Sequence, residues 1–483
     1  MKPSTPASSA TESAALYLSV ADEIAGRIRA GELAGGERVP SVRLLAAQRK
    51  VSHTTALAAL RHLESRGDIE ARPQSGYYVR SQLSDLQPLA TTRNARRPRY
   101  VAVNGLFDQL IATMGDRAIV QLGSALQEPG WFPTAALQRA LSSTIRRQPQ
   151  LLTEYGSFHG VEALRRAIAR LYLDQGCPVS HEDIVITSGC TEALNLALRN
   201  IAKPGDTIAV ESPTYYGFLQ IIESLGMRAL EIATDAVGGL SVAALRNALD
   251  ANGSGSVRAV LLSPCVGNPL GTTMSEASKR ELLTLCAARG VAIIEDDVHG
   301  DLHFATPRPP PLKALDRDGI VTLCSSFSKT LAPGMRIGWM FGGVDAQKLR
   351  VSRFMASVST PVALQSCIAD VLTQRGYQRQ LRGLRQRCQQ QVAQFSRAVE
   401  RYFPAGTRMS RPNGGYVLWL DLPGEVDTVA LHGLALARNI SFAPGPLFSA
   451  SGQFRSAMRL NCGRELSPTV IAALKQIGKL AGA

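Results

Sequence analysis

The sequence predicts an α/β domain with a mostly parallel sheet, preceded by a small basic head of three helices and a β-hairpin. Three observations carry this. From about Ile119 onward, β-type apolar runs alternate with helix-period segments, the pattern of a parallel sheet covered by helices. Residues 16–80 instead show three short helical stretches and then two β-type runs around Pro73-Gln74-Ser75-Gly76. Charge is also unevenly spread. The formal net charge is +14, and residues 1–100 hold 15 Lys/Arg against 9 Asp/Glu. Net positive charge density is therefore about threefold higher at the N-terminus than in the rest of the chain, which points to a polyanionic partner.

At 483 residues the chain is long enough for two or three domains and at least one large core. Apolar content of 45% with 19% charged residues fits an ordinary globular chain, and no apolar run is long enough to span a membrane. Residues 1–15 begin with a Ser/Thr/Ala/Pro-rich stretch that has no apolar core, and read as a disordered tail rather than a secretory signal. The eight cysteines are scattered, without a C-x-x-C pair or metal-ligand spacing. That pattern predicts structural thiols, no metal site and a reducing cytoplasm.

The head, residues 16–80, follows in order. Leu16, Val20, Ile24 and Ile28 recur every four residues and make one face of a first helix. Gly31 to Glu37 reads as a loop. Pro40-Ser41 opens a second helix with Ser41 as N-cap, and Val51-Ser52-His53-Thr54-Thr55 opens a third, with Leu57, Leu60 and Leu63 turned inward. Ile69–Arg72 and Tyr77–Val79 flank a turn and make a wing. Three helices and a wing in about 65 residues is a winged helix-turn-helix. Its third helix would enter the major groove of double-stranded DNA. Arg43, Ser52, His53, Thr54 and Thr55 would face phosphates and base edges, with Arg72 and Ser75 on the wing. A small helical interaction domain with a solvated basic face is the plainer alternative. Residues 81–118 read as a linker, basic at Arg93–Arg99, that ends in a helical apolar stripe (Leu106, Phe107, Leu110, Ile111, Met114) suited to dock on the large domain.

In residues 119–483 four segments carry chemistry. Ser325-Ser326-Phe327-Ser328-Lys329 sets one lysine among hydroxyls after a β-type run, with Arg336 seven residues on. Ile184 to Leu194 runs from a strand through Ser188-Gly189-Cys190 into a helix start, where free N–H groups and the helix dipole suit an anion. Val291 to Gly300 is a buried strand ending in acidic residues, which places Asp296 at the carboxyl edge of the sheet. Ser263 to Gly271 contains an Asn268-Pro269-Leu270-Gly271 turn. Each has a plainer reading when taken singly, such as a surface lysine, a common α/β turn or an ordinary loop, and Tyr215, after the strand-like run into Glu211-Ser212-Pro213-Thr214, reads by itself as a core tyrosine. Ser326-x-x-Lys329 also fits a serine-nucleophile hydrolase, but no S-D-N or K-T-G element accompanies it.

Taken together and in this order, these segments resemble the fold-type I enzymes dependent on pyridoxal 5'-phosphate (PLP), the aspartate-aminotransferase superfamily. Residues 16–80, above all Val39 to Ala46 and Val51 to Thr55, resemble GntR-type heads. The combination resembles the MocR family of PLP-dependent transcriptional regulators, and the resemblance runs from about Leu16 to Leu466. It implies PLP held by Lys329, with its phosphate met by Ser188, Gly189, Cys190, Ser326 and Arg336. Tyr215 would stack on the ring, Asn268 would bond O3′ and Asp296 would pair with the ring nitrogen. It further implies that Tyr155 reaches the phosphate of a partner subunit in a head-to-tail homodimer. Arg459 would grip the carboxylate of an amino compound. Two departures stand out. His53 lies where many such heads have arginine, and His299 where the superfamily usually has a tyrosine bonding O3′.

Two functions remain open. One is a regulator whose large domain senses PLP or an amino compound, through closure of the C-terminal part beyond about Asp345. The other is a working aminotransferase with an added DNA-binding head. The same residues serve both. A third possibility, a scaffold that no longer binds PLP, sits poorly with the complete residue set.

Overall fold

The computed structural model describes residues 8–482 except 30–31, 34–36, 67, 73–74, 80–88, 90–91, 93–96, 102–103, 254, 344 and 374–375. The chain divides into two compact units, Met1–Asp85 and Leu86–Ala483. Part of the Gly31–Glu37 loop, the wing tip at Pro73-Gln74, most of the 81–99 linker and the Arg72 side chain lie outside the described residues.

The head has helices Ser8–Arg29, Val42–Arg49 and His53–Arg66 and an antiparallel pair, Ile69–Arg72 with Gly76–Val79. Val20, Ile24 and Ile28 bury their expected face against Leu45, Leu60 and Leu63. Leu16, one turn earlier, is exposed, and Leu57 is only half-buried. The tail expected through residue 15 is shorter than composition suggests, because the first helix already begins at Ser8. Residues 8–15 contain three alanines and neither glycine nor proline, so nothing there stops the helix from running outward. Ser41 caps the second helix as expected, accepting the Leu44 N–H at 3.3 Å. The hairpin gains a third edge, with the Val39 N–H donating to Tyr77 O (2.9 Å) and the Val79 N–H to Glu37 O (2.8 Å).

The large unit is built on an eight-stranded sheet in the order Val185–Thr187, Gly338–Gly342, Val321–Ser326, Ala292–Asp296, Val257–Leu262, Thr207–Ser212, Arg228–Asp235 and Gly239–Leu240. The five strands from Val321–Ser326 to Arg228–Asp235 run parallel, while Gly338–Gly342 and the short end strand Gly239–Leu240 are antiparallel to their neighbours. The strands Thr207–Ser212, Ala292–Asp296 and Val321–Ser326 are buried throughout, and Val257–Leu262 at every position but Arg258, as expected for a sheet covered on both faces. The fold is thus an α/β fold of the type expected, with a winged head.

A second, five-stranded sheet lies in the C-terminal part, and one of its edges is a surprise. Val120–Leu122, from far upstream, pairs in parallel with Ile440–Phe442. A three-residue strand has too little pattern to announce such a partner. The helix Asn104–Ala112 docks beside it through Leu106, Phe107 and Leu110, packing on a cluster with Trp419 and Phe448. Ile111 and Met114, expected on the same stripe, are exposed. All eight cysteines are free and buried. Among the described residues no helix is long and apolar enough to cross a membrane, and no cluster of metal-ligating side chains occurs.

Candidate functional site

The carboxyl edge of the parallel strands collects the expected residues. Asp296 ends its strand, Ser326 ends the next, and Lys329 follows in the turn. Tyr215 lies three residues beyond Ser212, and Cys190 opens the helix after Val185–Thr187. Lys329, Asp296, His299, Asn268, Tyr215, Cys190, Ser326 and Arg336 line one cavity of about 160 Å³.

The anion cradle is the start of the helix Cys190–Ile201. Gly189, its N-cap, has φ +93°, and Arg336 occupies the space a Cβ would need. Arg336 crosses the cradle, donating to Ser328 Oγ (3.2 Å) and to Ser188 O (3.2 Å). The Ser188 N–H donates to Glu192 Oε2 at 2.6 Å, so of that residue only the hydroxyl is left for a ligand. Gly338 presses the neighbouring strand onto this turn. A Cβ there would stand 2.5–2.8 Å from the backbone of Gly189 and Cys190.

Asp296 is buried, accepts the Val298 N–H at 3.0 Å and takes the Cys190 thiol at 3.4 Å. Burial lifts its carboxyl to about 6. Lys329 Nζ donates to Ala125 O at 2.9 Å. Burial, helped by the positive charge of Arg459, lowers its ammonium to about 8. His299 is buried with its ring 5.7 Å from that of Tyr416, and burial, with Lys329 and Arg459 nearby, lowers it to about 3. It is a neutral imidazole at physiological pH.

Arg459 is fully buried. Its Nη1 donates to Asn268 Oδ1 (3.1 Å), its Nη2 donates to Gly123 O, and Nε has no partner. The guanidinium sits 5.0 Å from the Phe448 ring and 5.5 Å from that of Tyr216. Among the described residues no carboxylate pairs with it. A buried, always-charged group left in this state suits an incoming anion. Tyr155 stands apart from the cavity at 85% exposure.

PLP fits these residues. The cradle offers N–H groups, hydroxyls and a guanidinium to a dianion, and a lysine and a carboxylate share the cavity beside a buried arginine that lacks a counter-charge.

In the head, Arg43, Ser52, His53 and Thr54 are exposed as a groove-reading surface requires. Thr55 is not. It is 7% exposed, its N–H donates to Ser52 Oγ (3.0 Å), and its hydroxyl lies 2.8 Å from the same atom. It belongs to the helix cap and not to the readout face, because the advance of about 100° per residue carries it from the outer side of the helix to the inner one. Ser75, on the wing, bonds the Tyr78 hydroxyl at 2.6 Å.

Sequence reasoning missed the segment Gly123–Leu126. The Ala125 carbonyl receives both Lys329 Nζ and the Tyr416 hydroxyl (3.1 Å), and Ser124, Ala125 and Leu126 line the cavity with Met114. The only signal was a run of small residues directly after a strand.

The comparisons agree with this geometry. Residues 16–79 match the family described as bacterial regulatory proteins, gntR family, and residues 127–471 match aminotransferase class I and II. The chain is 37% identical over 463 residues to the uncharacterized HTH-type transcriptional regulator YjiR of Escherichia coli, covering 96% of this chain and 98% of that protein. It is 25% identical to the HTH-type transcriptional regulator NorG of Staphylococcus aureus, covering 91% and 98%. Among solved structures it resembles the kynurenine aminotransferase of Pyrococcus horikoshii (27% identity, 79% of this chain and 94% of that one, TM-score 0.72). It also resembles the α-aminoadipate aminotransferase LysN of Thermus thermophilus (26%, 78% and 94%, TM-score 0.70), solved with N-(5'-phosphopyridoxyl)-L-leucine. These two relatives that match over nearly the whole length are regulators, and the two that match the large unit are aminotransferases. A gntR-type winged head joined to a class I and II aminotransferase domain makes this chain a DNA-binding transcriptional regulator of the MocR family.

Proposed function

We propose that the large unit holds PLP at Lys329 and uses it to capture an amino compound bearing a carboxylate, and that this capture alters DNA binding by the heads of a homodimer. The observation that carries the reading is Arg459, buried without a carboxylate partner and with Nε unpartnered, next to the Lys329 cavity. When bound, PLP supplies a carbonyl that condenses with amines and a ring that withdraws electrons. The chain's own residues do the rest. Lys329, lowered to about 8 by burial, is deprotonated often enough near neutral pH to act as a nucleophilic amine. Asp296, fixed by Val298 N–H and the Cys190 thiol, offers an acceptor to a protonated ring nitrogen. Neutral His299 and Asn268 face the same cavity as donors for O3′. Arg336 and the Gly189–Cys190 turn receive the phosphate, and Arg459 orients the carboxylate so that the amine of the bound compound faces Lys329. Arg43, His53 and Thr54 contact DNA.

The test is fluorescence anisotropy on DNA from the chain's own upstream region, comparing cofactor-free protein, PLP-loaded protein and loaded protein with a pool of amino acids. The expected result is an affinity or stoichiometry that changes with cofactor or amino acid. Binding indifferent to all three, together with fast transamination, would replace regulation by catalysis as the purpose of the site.

A further inference from the structure

The helix Gly376–Tyr402 is 27 residues long and divides cleanly into two faces. Tyr377, Leu381, Leu384, Cys388, Phe395 and Val399 are buried on one side. The opposite side, at helical spacing, presents Arg379, Arg382, Arg387, Arg397 and Arg401, with Gln386 and Gln390 between them. Arg379, Arg382 and Arg387 are exposed, and among the described residues none of the three has an ion-pair partner. Residues 376–399 contain no Asp or Glu, and Glu400 is the first acidic residue of the helix. An exposed helix this basic is ordinarily laced with acidic residues one turn away, and without them its like charges repel.

A second observation lies at its C-terminal end. The Arg401 guanidinium and the Lys475 ammonium, from the packed helix Pro468–Ala481, stand 5.5 and 5.0 Å from the centroid of one ring, that of Tyr402. Two cations converge there on one aromatic. From Arg379 to Arg401 the ridge is about 33 Å long at 1.5 Å per residue. That is the span of about ten base pairs, and guanidinium forks suit phosphate oxygens.

We propose that this arginine ridge is a second, sequence-independent contact for double-stranded DNA, gripping the phosphate backbone beside the operator held by the head. The inference rests on the DNA-binding reading of the head. The linker is clipped to the large unit at Thr92, whose hydroxyl donates to Ser212 O at 2.6 Å, and at Arg99, paired with Ala229.

The test compares duplexes of about 20 and about 60 base pairs centred on the footprint in the chain's own upstream DNA, with binding measured against salt concentration. The native chain should bind the longer duplex at least about tenfold more tightly and with a salt slope steeper by about 3. The combined variant Arg379→Gln, Arg382→Gln and Arg387→Gln should bind the short duplex unchanged and lose most of the increment on the long one. The corresponding lysine variant should keep it. A glutamine variant that retains native affinity and slope on the long duplex overturns the ridge. So does an equal loss on both duplexes, which assigns the effect to the head. A native chain that binds neither duplex overturns the DNA-binding function itself, and the ridge with it.

Discussion

At Lys329 the decisive quantity is a protonation equilibrium. Burial beside Arg459 lowers its ammonium to about 8, so attachment of added PLP, followed by its visible absorbance, should accelerate roughly tenfold per pH unit below 8 and level off above it. Lys329→Ala should bind PLP without the lysine-linked absorbance band. The same shift has a consequence for stability. The unfolded chain binds one more proton than the folded one between about 8 and the ordinary lysine value, so the stability contributed by this site rises with pH across that window. Cofactor-free native protein should therefore gain urea resistance relative to Lys329→Met as pH rises through that interval. Arg459→Lys removes the fork and leaves a point charge. With each charged hydrogen bond worth about 1.5–3 kcal/mol, amino-compound capture should weaken roughly 10- to 100-fold, read as the concentration needed to shift the absorbance. His299, neutral down to about pH 3, should add no step to that spectrum between roughly pH 5 and 8, and His299→Gln should leave the pH profile there unchanged.

At the scale of elements, the close approach of two strands sets the cradle. Gly338→Ala forces a methyl against the Gly189–Cys190 backbone, which cannot swing aside as a side chain would. An overpacking cost of about 1–3 kcal/mol is expected, with PLP affinity lost in the same measure, visible as a lower melting temperature and a higher Kd for the cofactor. Much at this scale was legible in the sequence. The three head helices and the hairpin follow from apolar spacing and Ser caps, and the lysine, aspartate and phosphate-turn segments from apolar runs ending in polar residues. What was not legible depends on pairing between distant segments. Val120–Leu122 joins the C-terminal sheet through Ile440–Phe442, more than 300 residues away, and this pairing carries Ala125 to Lys329. Thr55 misled because period alone does not say which side of a cap a hydroxyl will take.

For the whole molecule, the exposed Tyr155 is the feature that a lone chain leaves unexplained. If it completes the cradle of a partner, two crippled chains should rescue one another. Mixing Tyr155→Phe with Lys329→Ala subunits in equal amounts should yield hybrids in which one of the two sites has both residues native, about one site in four over the whole mixture, detectable as PLP bound more tightly than either parent allows. Equal affinity in the mixture and the parents would place Tyr155 outside the site. Here the sequence outran the structure of one chain, since the expected role rests on a neighbour the fold by itself does not display.

The burial of all eight thiols has a practical side. With burial pushing Cys286 and Cys388 to about 12 and Cys367 to about 11, the native chain should react very slowly with maleimides at neutral pH. It is thus a nearly silent background for site-specific labelling. One cysteine introduced at exposed Gln48 and another at exposed Gln389 could carry a donor and an acceptor dye without removing any native residue of the core. The distance between head and body could then be followed, molecule by molecule, as ligand is added.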